Sequence, residues 1–243
     1  MFPMFDEQEN VGRLLDSALA LAPRLNEDFE LIVVDDGSRD GGAAVVEAAR
    51  RRDRRVRLLR HPENRGYGAA LRSGLRAARG ELVFFSDADL QFDLAELEHL
   101  LAHADEFDIV AGFRAPRRDP WARRAIAAGW GALVRAAFGL RVRDIDCAFK
   151  LFRRPVLDAL PIASIGAFVN TEILVRARRA GFRIQEVPVT HHPRVAGRAK
   201  GASPRVVARA LLELFTLYRE LTHPTGAPLR AVGEQAGSVE EVT

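Results

Sequence analysis

Short apolar runs alternate with helical patterns through the first half of the sequence, and this alternation most constrains the fold. The apolar runs lie at residues 29–34, 56–59, 81–85 and 108–112. Between them, apolar residues recur at the three- and four-residue spacing of amphipathic helices, as in residues 6–21 and 41–52. Strands that alternate with helices build a mostly parallel sheet with helices on both faces. The sequence therefore predicts an α/β fold.

The second half of the chain is less regular. Its patterns predict helices at 119–138, 155–160 and 168–180, and strands at 146–152 and 183–189. Pro188 cannot donate a hydrogen bond to a neighbouring strand, so the last strand is expected at a sheet edge. An amphipathic helix is predicted from 203 to 221, with Ser203 as N-cap and Pro204 in the first turn. We expect one domain over residues 1–221 and a disordered tail over 222–243, where Pro, Gly, Glu and Thr replace any periodicity.

Two pairs of carboxylates follow predicted strands. Asp35 and Asp36 end the first strand, and Asp87 and Asp89 follow the strand that ends in Phe85. In open α/β sheets, ligands bind outside the carboxyl ends of the strands. Two aspartates separated by one residue can share a divalent cation and leave its other positions to water and phosphate oxygens. The same Asp-Ala-Asp sequence is also compatible with a polar turn that caps the next helix.

Several function classes are disfavoured. There is no Gly-x-x-x-x-Gly-Lys-Ser/Thr run and no Gly-x-Gly-x-x-Gly between a first strand and helix, which argues against nucleotide triphosphatases and dinucleotide oxidoreductases. Gly66 and Gly68 fit a helix-entry turn better than a phosphate loop. A net charge of +3 over 243 residues gives no argument for nucleic-acid binding. No run of 18 or more uncharged apolar residues predicts a transmembrane helix.

An ordered set of motifs resembles the family-2 glycosyltransferases of GT-A fold, and more narrowly the polyprenyl-phosphate sugar synthases of the dolichyl-phosphate mannose synthase type. In the first half these motifs are Pro3-Met-Phe-Asp-Glu7, Val33-Val-Asp-Asp-Gly-Ser38, the segment 64–74 and Asp87-Ala-Asp-Leu-Gln91. Downstream they are Gly112-Phe-Arg114, Asp144-Ile-Asp-Cys-Ala-Phe-Lys150, Asn170-Thr-Glu172, and Arg194 followed by Lys200. The resemblance covers residues 2–221, and its strength lies in the order of the motifs.

The resemblance implies roles for individual residues. The nucleotide pocket would be lined by Pro3, Phe5, Glu7, Val33, Asp35 and Ala88. Magnesium or manganese would be held against the donor diphosphate by Asp87, Asp89 and Gln91. The phosphates of donor and acceptor would be bound by Arg114, Arg123, Arg194 and Lys200. The implied reaction is a single, inverting transfer of a sugar from a nucleotide diphosphate sugar to a polyprenyl phosphate.

The chemistry of such a transfer matches the residue types. A departing nucleoside diphosphate develops negative charge that a divalent cation and arginines can stabilise. A lipid phosphate is largely dianionic at neutral pH, since its second pKa is about 6, and therefore needs cationic partners more than a general base. A family-2 transferase with a hydroxyl acceptor is the alternative, and its base would be a carboxylate such as Asp144, Asp146 or Glu172. A non-catalytic nucleotide-sugar-binding protein is a further alternative.

Some residues have two interpretations in the sequence. Glu172 is a site residue or a surface carboxylate, Lys150 is expected to pair with Asp144 or Asp146, and His191 and His192 are expected to be structural. Arginines 117, 118 and 124 fit either a membrane-facing or a solvated basic surface. The apolar face of the 203–221 helix can lie in an anionic membrane surface, cover the sheet or form a dimer contact. With one cysteine and no signal sequence, we expect a peripheral protein on the cytoplasmic face of a membrane.

The sequence also departs from the family pattern. A buried strand normally precedes the Pro3 motif, whereas here only Met1 and Phe2 do, so we expect the first strand to be missing and the natural start to lie upstream. The C-terminal membrane helices of one branch are absent; a membrane-protein partner and a homodimer are both compatible with the sequence. The Gln-x-x-Arg-Trp signature of processive synthases is also absent, which favours a single transfer.

Overall fold

The computed structural model describes residues 1–21, 24, 29–116, 121–194, 204–222 and 240–241, with only the backbone described at 122, 123, 204, 240 and 241. These residues form an α/β fold in which every apolar run named above becomes a strand. Parallel strands dominate its first half, as the alternating pattern predicts.

The first sheet contains strands β1, β2, β3 and β8 in that order. Its parallel strands are β1 (Phe2–Met4), β2 (Leu31–Asp35) and β3 (Val56–Arg60). The two-residue β8 (Glu240–Glu241) pairs antiparallel with β3. This pairing departs from the expected disorder after Thr222, which stays a prediction for the remaining tail residues because they lie outside the described ranges.

The second sheet has the strand order β4, β6, β5, β7. Its strands are β4 (Leu82–Ser86), β5 (Ile109–Arg114), β6 (Phe149–Arg153) and β7 (Ile184–Val189). Strand β6 runs antiparallel to both neighbours, whereas β7 runs parallel to β5. The edge position of β7 confirms the prediction made from Pro188.

Met1 joins the two sheets. Its amino group donates to the Phe84 carbonyl at 2.6 Å, and its carbonyl accepts from the Ser86 N–H at 3.3 Å, a pattern of neighbouring parallel strands. The expectation that the first strand is missing is therefore wrong, because residues 2–4 form β1 between β2 and β4. Phe2 and Met4 are each only 2% exposed, so burial of their side chains holds this short strand in place.

Helices cover both faces of the sheets. Their bounds are α1 (Gln8–Ala20), α2 (Gly42–Arg52), α3 (Tyr67–Ala77), α4 (Leu97–Leu101), α5 (Trp121–Phe138), α6 (Arg154–Ala159), α7 (Val169–Arg179) and α8 (Pro204–Thr222). Alternate residues of β2 belong to two separate cores: Ile32 and Val34 pack with α3 and α7, whereas Leu31 and Val33 pack with α1 and α2. Strand alternation thus produces the two-sided burial that the apolar runs predict.

Helix α8 has apolar residues on two sides. Ala210, Leu214 and Leu217 pack against the core that contains α3 and α7. The other side, which we name the outer stripe, consists of exposed Val207, Leu211, Leu212, Phe215 and Tyr218. The helix therefore covers the core, as one sequence interpretation proposed, and also leaves an apolar stripe in contact with solvent.

Candidate active site

Two loops meet at the carboxyl ends of β1 and β2. The Asp6 N–H donates to Ser38 Oγ at 2.9 Å, and the Arg39 N–H donates to Asp6 Oδ1 at 2.9 Å. Asp6 has φ 52°, a left-handed conformation that aspartate tolerates better than most residues. These bonds fix the loop that carries Phe5 and Glu7 against the loop that follows Asp35.

The two aspartates at the end of β2 have different partners. Asp35 Oδ1 accepts from the Ser38 N–H at 2.9 Å, and its Oδ2 accepts from Arg60 Nε at 3.2 Å. Asp36 instead holds the loop before α3, because its carboxylate accepts from the Arg65 and Gly66 N–H groups, each at 2.9 Å. Asp36 is therefore structural, whereas Asp35, itself 0% exposed, pairs with the half-exposed Arg60 at the end of β2.

The remaining residues predicted for the nucleotide pocket lie deeper. Pro3 is buried within β1, Val33 is 0% exposed within β2, and Ala88 is 3% exposed. Phe5 is partly buried just after β1. Pro3, Val33 and Ala88 are therefore enclosed by the fold, and their contact with a nucleotide stays a prediction.

Asp87 and Asp89 follow β4 and face different surroundings. Asp87 is partly buried, and its Oδ1 is buried without a hydrogen-bond partner among the described residues. Asp89 is 6% exposed, and its Oδ1 accepts from the Gln91 N–H at 3.2 Å. Leu90, between them and Gln91, has φ 58°, so the chain turns sharply just after the pair. The alternative of a simple helix cap is not supported, because Asp93 supplies that cap by accepting from the Ala95 N–H at 3.0 Å.

Asp87 belongs to a buried polar group that the sequence analysis did not recognise. Burial, and next the negative charge of Asp89, raise the pKa of Asp87 from 3.8 to about 7, although the nearby Tyr67 hydroxyl and the charges of Lys150 and Arg194 lower it. Burial also raises the pKa of Tyr67 well above its ordinary value. Tyr67 Oη and Asn170 Oδ1 are buried, and the described residues provide no hydrogen-bond partner for either. Both residues lie in the first turns of helices within motif segments, which is the signal that could have identified them.

This arrangement fits a divalent cation. The charges of Lys150 and Arg194 offset only part of the cost of ionising Asp87 beside Asp89, so a further positive charge at this carboxylate would stabilise its ionised form. Oxygen ligands suit magnesium and manganese. Within the described ranges no group of three or more His, Cys, Asp or Glu side chains forms a metal site, so Asp87 and Asp89 would leave further positions to other ligands. Gln91, the third predicted ligand, donates its Nε2 to the His192 carbonyl at 3.1 Å.

Arg194 spans the site. Its Nη1 donates to Glu7 Oε1 at 2.9 Å, and its Nη2 donates to Asp89 Oδ2 at 3.0 Å. The guanidinium therefore connects the loop after β1 with the loop after β4. Glu7 is held further by Asn10, whose Nδ2 donates to Glu7 Oε2 at 2.6 Å. The structure thus brings together four residues predicted for the site: Glu7, Asp87, Asp89 and Arg194.

Among the other predicted phosphate-binding residues, the structure describes the side chain of Arg114 alone. Arg114 forms a bidentate ion pair with Asp144, with Nε–Oδ2 and Nη2–Oδ1 distances of 2.6 and 2.7 Å. A phosphate contact by Arg114 would have to compete with this pair and stays a prediction. The side chain of Arg123 and all of Lys200 lie outside the described residues, as do Arg117 and Arg118. Lys150 is buried and donates to the carbonyls of Ile145 and Cys147, which makes it structural.

Glu172 is not a surface carboxylate. It is 2% exposed, and it accepts hydrogen bonds from the Ser164 N–H at 2.7 Å and from Arg176 Nε at 2.8 Å. Glu213 of α8 holds the same loop by accepting from the Ile165 and Gly166 N–H groups, each at 3.1 Å. The carboxylate thus anchors residues 163–164 to α7, and a role for Glu172 in the site stays a prediction.

The glycines before α3 serve close packing with that loop. The Gly68 N–H donates to the Ile165 carbonyl at 3.0 Å, and a Cβ at Gly68 would lie 2.6 Å from the carbonyl oxygens of Ser164 and Gly166. Gly66 has φ 102° and a similar clash with Ile165. The helix-entry interpretation is thus supported, and these glycines make room for another backbone rather than a phosphate.

Solved structures of glycosyltransferases share this fold. Glucosyl-3-phosphoglycerate synthase from Mycobacterium tuberculosis matches with a TM-score of 0.72 and 22% identity over 88% of this chain and 77% of that one. Mannosyl-3-phosphoglycerate synthase from Rubrobacter xylanophilus matches with a TM-score of 0.70 and 18% identity over 97% and 77% of the two chains. These similarities confirm the GT-A fold.

Sequence comparison defines the family. The profile of Glycosyl transferase family 2 matches residues 1–160. The chain is 33% identical over 233 residues to the undecaprenyl-phosphate 4-deoxy-4-formamido-L-arabinose transferase of Proteus mirabilis (strain HI4320), covering 95% of this chain and 68% of that protein. The corresponding protein of Edwardsiella ictaluri (strain 93-146) is 31% identical over 96% and 69% of the two chains. The chain belongs to glycosyl transferase family 2 and is a glycosyltransferase.

Proposed function

We propose that this glycosyltransferase moves a single sugar from a nucleotide diphosphate sugar to a polyprenyl phosphate, with inversion at the anomeric carbon. The observation that carries the proposal is the group formed by Glu7, Asp87, Asp89 and Arg194 in a chain related along nearly its whole length to undecaprenyl-phosphate sugar transferases. Magnesium or manganese is the proposed cofactor. A manganese complex with UDP-glucose exists for glucosyl-3-phosphoglycerate synthase, a fold neighbour at TM-score 0.69.

The chain's own residues perform separable tasks in this proposal. Asp87 and Asp89 would hold the cation, which when bound neutralises the charge of the departing diphosphate. Arg194 lies close enough to Asp89 to contact a phosphate beside it. Phe5 and Asp35, with the buried Pro3, Val33 and Ala88 behind them, would receive the nucleoside.

The placement of other carboxylates favours a phosphate acceptor over a hydroxyl acceptor. A hydroxyl acceptor needs a general base within hydrogen-bond reach. Glu172 is enclosed by Ala163, Ser164 and Arg176, and Asp144 is held by Arg114, so neither is available for proton abstraction. Asp146 is exposed and remains as the candidate base for that rival reaction. A phosphate dianion needs no such group.

A polyprenyl acceptor requires contact with a membrane, and the outer stripe of α8 supplies a surface for it. Leu212 and Phe215 are 69% and 57% exposed, and Arg205, Arg209 and Arg219 on the same helix are also exposed. Apolar side chains flanked by arginines suit the interface of an anionic leaflet. Trp121 and Ile126 of α5 are 81% and 65% exposed, and α5 reaches α8 through the Phe138–Tyr218 ring contact. Among the helices in the described part of the chain, none combines the length and apolar character needed to cross a bilayer. We place the enzyme peripherally on the cytoplasmic face.

The test is turnover with a panel of UDP- and GDP-sugars, undecaprenyl phosphate, and Mn²⁺ or Mg²⁺. The proposal expects an organic-soluble glycolipid that requires the cation and disappears in Asp89→Asn. Asp93→Asn is the matched control, since it removes a nearby exposed carboxylate but keeps an oxygen for the cap at Ala95.

The other outcomes select the alternatives. Product with a soluble hydroxyl acceptor and none with the lipid would support the rival transferase. Nucleotide-sugar binding by the folded protein with no product from any acceptor would support the non-catalytic alternative.

A further inference from the structure

Arg194 contacts two carboxylates that are far apart in sequence, Glu7 and Asp89. The contacts are nearly equal in length, 2.9 Å to Glu7 Oε1 and 3.0 Å to Asp89 Oδ2. The arginine side chain is 21% exposed, and the two carboxylates are 9% and 8% exposed. Because water has little access, these ion pairs are screened less than surface pairs.

The backbone before Arg194 is fixed to the loop that carries Asp89. The His192 N–H donates to the Gln91 carbonyl at 2.8 Å, and Gln91 Nε2 donates back to the His192 carbonyl at 3.1 Å. The Gln91 N–H in turn donates to Asp89 Oδ1. Arg194 is only two residues beyond His192, so the hydrogen bonds between His192 and Gln91 hold its guanidinium near Asp89.

Asp89 Oδ2 accepts from the Arg194 guanidinium, and the same oxygen is a candidate ligand for the divalent cation. If Asp89 ligates a divalent ion through Oδ2, the ion and the guanidinium would be adjacent positive charges, which repel strongly where water is scarce. We propose that Arg194 is a latch that competes with the divalent cation for Asp89, and that the bound cation releases it to bind the nucleoside diphosphate. This inference rests on the proposed function, because it takes Asp87 and Asp89 as the cation site.

The latch has two measurable consequences. Only molecules in which Arg194 has left Asp89 can bind the cation there. The apparent cation affinity is therefore the intrinsic affinity multiplied by the fraction of such molecules. A released guanidinium presents a planar fork that matches phosphate oxygens, so the cation and the diphosphate bind cooperatively. That cooperativity is reciprocal, so each ligand raises the affinity for the other by the same factor.

The first experiment measures Mn²⁺ binding without any substrate, by the electron paramagnetic resonance signal of free Mn²⁺. Arg194→Gln should bind Mn²⁺ about tenfold more tightly than wild type, the effect of removing one charged hydrogen bond from Asp89. Arg194→Lys keeps the charge but cannot span both carboxylates with a fork, so its affinity should also rise. Arg60→Gln, which removes an arginine from Asp35 at the same sheet edge, is the control and should change the affinity by less than about twofold.

The variants separate a latch from a simple charge effect. If Arg194→Lys binds Mn²⁺ like wild type, or if Arg194→Gln binds it no more tightly, the latch is rejected. Loss of Mn²⁺ binding in Asp89→Asn is required in the same assay. Mn²⁺ binding that survives Asp89→Asn would reject the cation site itself, and with it the metal part of the proposed function. If the wild-type protein transfers sugar but Arg194→Gln binds Mn²⁺ with the wild-type affinity, the latch alone is rejected and the proposed function stands.

The second experiment has two parts: proteolysis, which uses only the wild-type chain and does not depend on how a variant folds, and calorimetry, which compares wild type with Arg194→Gln. Trypsin cleavage after Arg194, identified by mass spectrometry, should become faster when Mn²⁺ is added and slower again when UDP or GDP follows. Calorimetry should show that Mn²⁺ raises nucleoside diphosphate affinity more in wild type than in Arg194→Gln. The proposal would be overturned if Mn²⁺ did not change the rate of cleavage after Arg194. It would also be overturned if Mn²⁺ raised the nucleoside diphosphate affinity by the same factor in wild type and in Arg194→Gln.

Discussion

Replacing Glu172 by alanine should destabilise the fold strongly, because this carboxylate joins α7 to the loop beside α3. Its Oε2 accepts from the Ala163 and Ser164 N–H groups at 3.1 and 2.7 Å, and its Oε1 accepts from Arg176 Nε at 2.8 Å. Glu172 and Arg176 are 2% and 8% exposed, so water cannot replace the lost acceptor. Breaking a buried pair costs about 3–5 kcal/mol, and we expect about 3 kcal/mol here because Arg176 keeps its second partner, Glu220.

The loss is large enough to measure by thermal and urea unfolding. In a domain of this size, 1 kcal/mol shifts the unfolding midpoint by about 2–4 °C, so Glu172→Ala should melt roughly 10 °C below wild type. Glu47→Ala is the matched control: Glu47 accepts from Arg50 at 2.8 Å within α2, and these side chains are 20% and 25% exposed, so water can replace much of the lost pair. Equal melting of the two variants would contradict the structural role of Glu172.

A companion variant separates stability from chemistry. Glu172→Gln keeps an acceptor oxygen for the Ala163 and Ser164 N–H groups and removes the charge, so it should melt between wild type and Glu172→Ala. Sugar transfer per folded molecule should persist in Glu172→Gln with an unchanged pH profile. A folded Glu172→Gln protein without activity would instead identify Glu172 as a general base and favour the hydroxyl acceptor.

Three further predictions follow from particular contacts. Gly68→Ala should lower the midpoint of thermal unfolding, because its Cβ would meet backbone carbonyl oxygens at 2.6 Å that cannot move as a flexible side chain can; an unchanged midpoint would contradict the close packing. The pKa of Asp87 is raised from 3.8 to about 7, so the folded protein retains a proton that the unfolded chain has released. The unfolding free energy of the metal-free protein should therefore fall as pH rises from about 4 to about 7, and urea titrations of Asp87→Asn should lack this slope. A paired Leu212→Glu and Phe215→Glu change should reduce sedimentation with anionic vesicles, whereas sedimentation equal to wild type would remove the outer stripe as a membrane contact.

The sequence identified most strands and helices because each carries its own periodic pattern. The prediction failed where a local pattern is short: β1 has 3 residues and no periodicity, and its stability comes from burial of Phe2 and Met4 and from Met1 bonding to β4. Similarly, the apolar residues of α8 are visible in the sequence. Only packing shows that Leu214 and Leu217 cover the core while Leu211 and Phe215 remain exposed.

In the candidate site, too, some features are visible in the local sequence and others depend on packing. The motif around Asp87 and Asp89 is local, since both carboxylates belong to one strand end, and it was found from a few consecutive residues. The partners of charged side chains are not local, and they decide what each charge can do. Arg114 is committed to Asp144, 30 residues away, and Arg194 is shared between Asp89 and Glu7, 105 and 187 residues away. No spacing rule in the sequence predicts these pairs.

By itself, the sequence determined the α/β class, the order of the strands and helices along the chain, and the carboxylate pair at the end of β4, because these depend on periodicity and on neighbours in the chain. Tertiary structure decided which charges reach the site. It buried Glu172 as an anchor, placed Arg194 on Asp89, and left Asp87 Oδ1 without a described donor. The physical reason is that burial and ion pairing depend on distances across the fold, and these are set only when separate elements pack together.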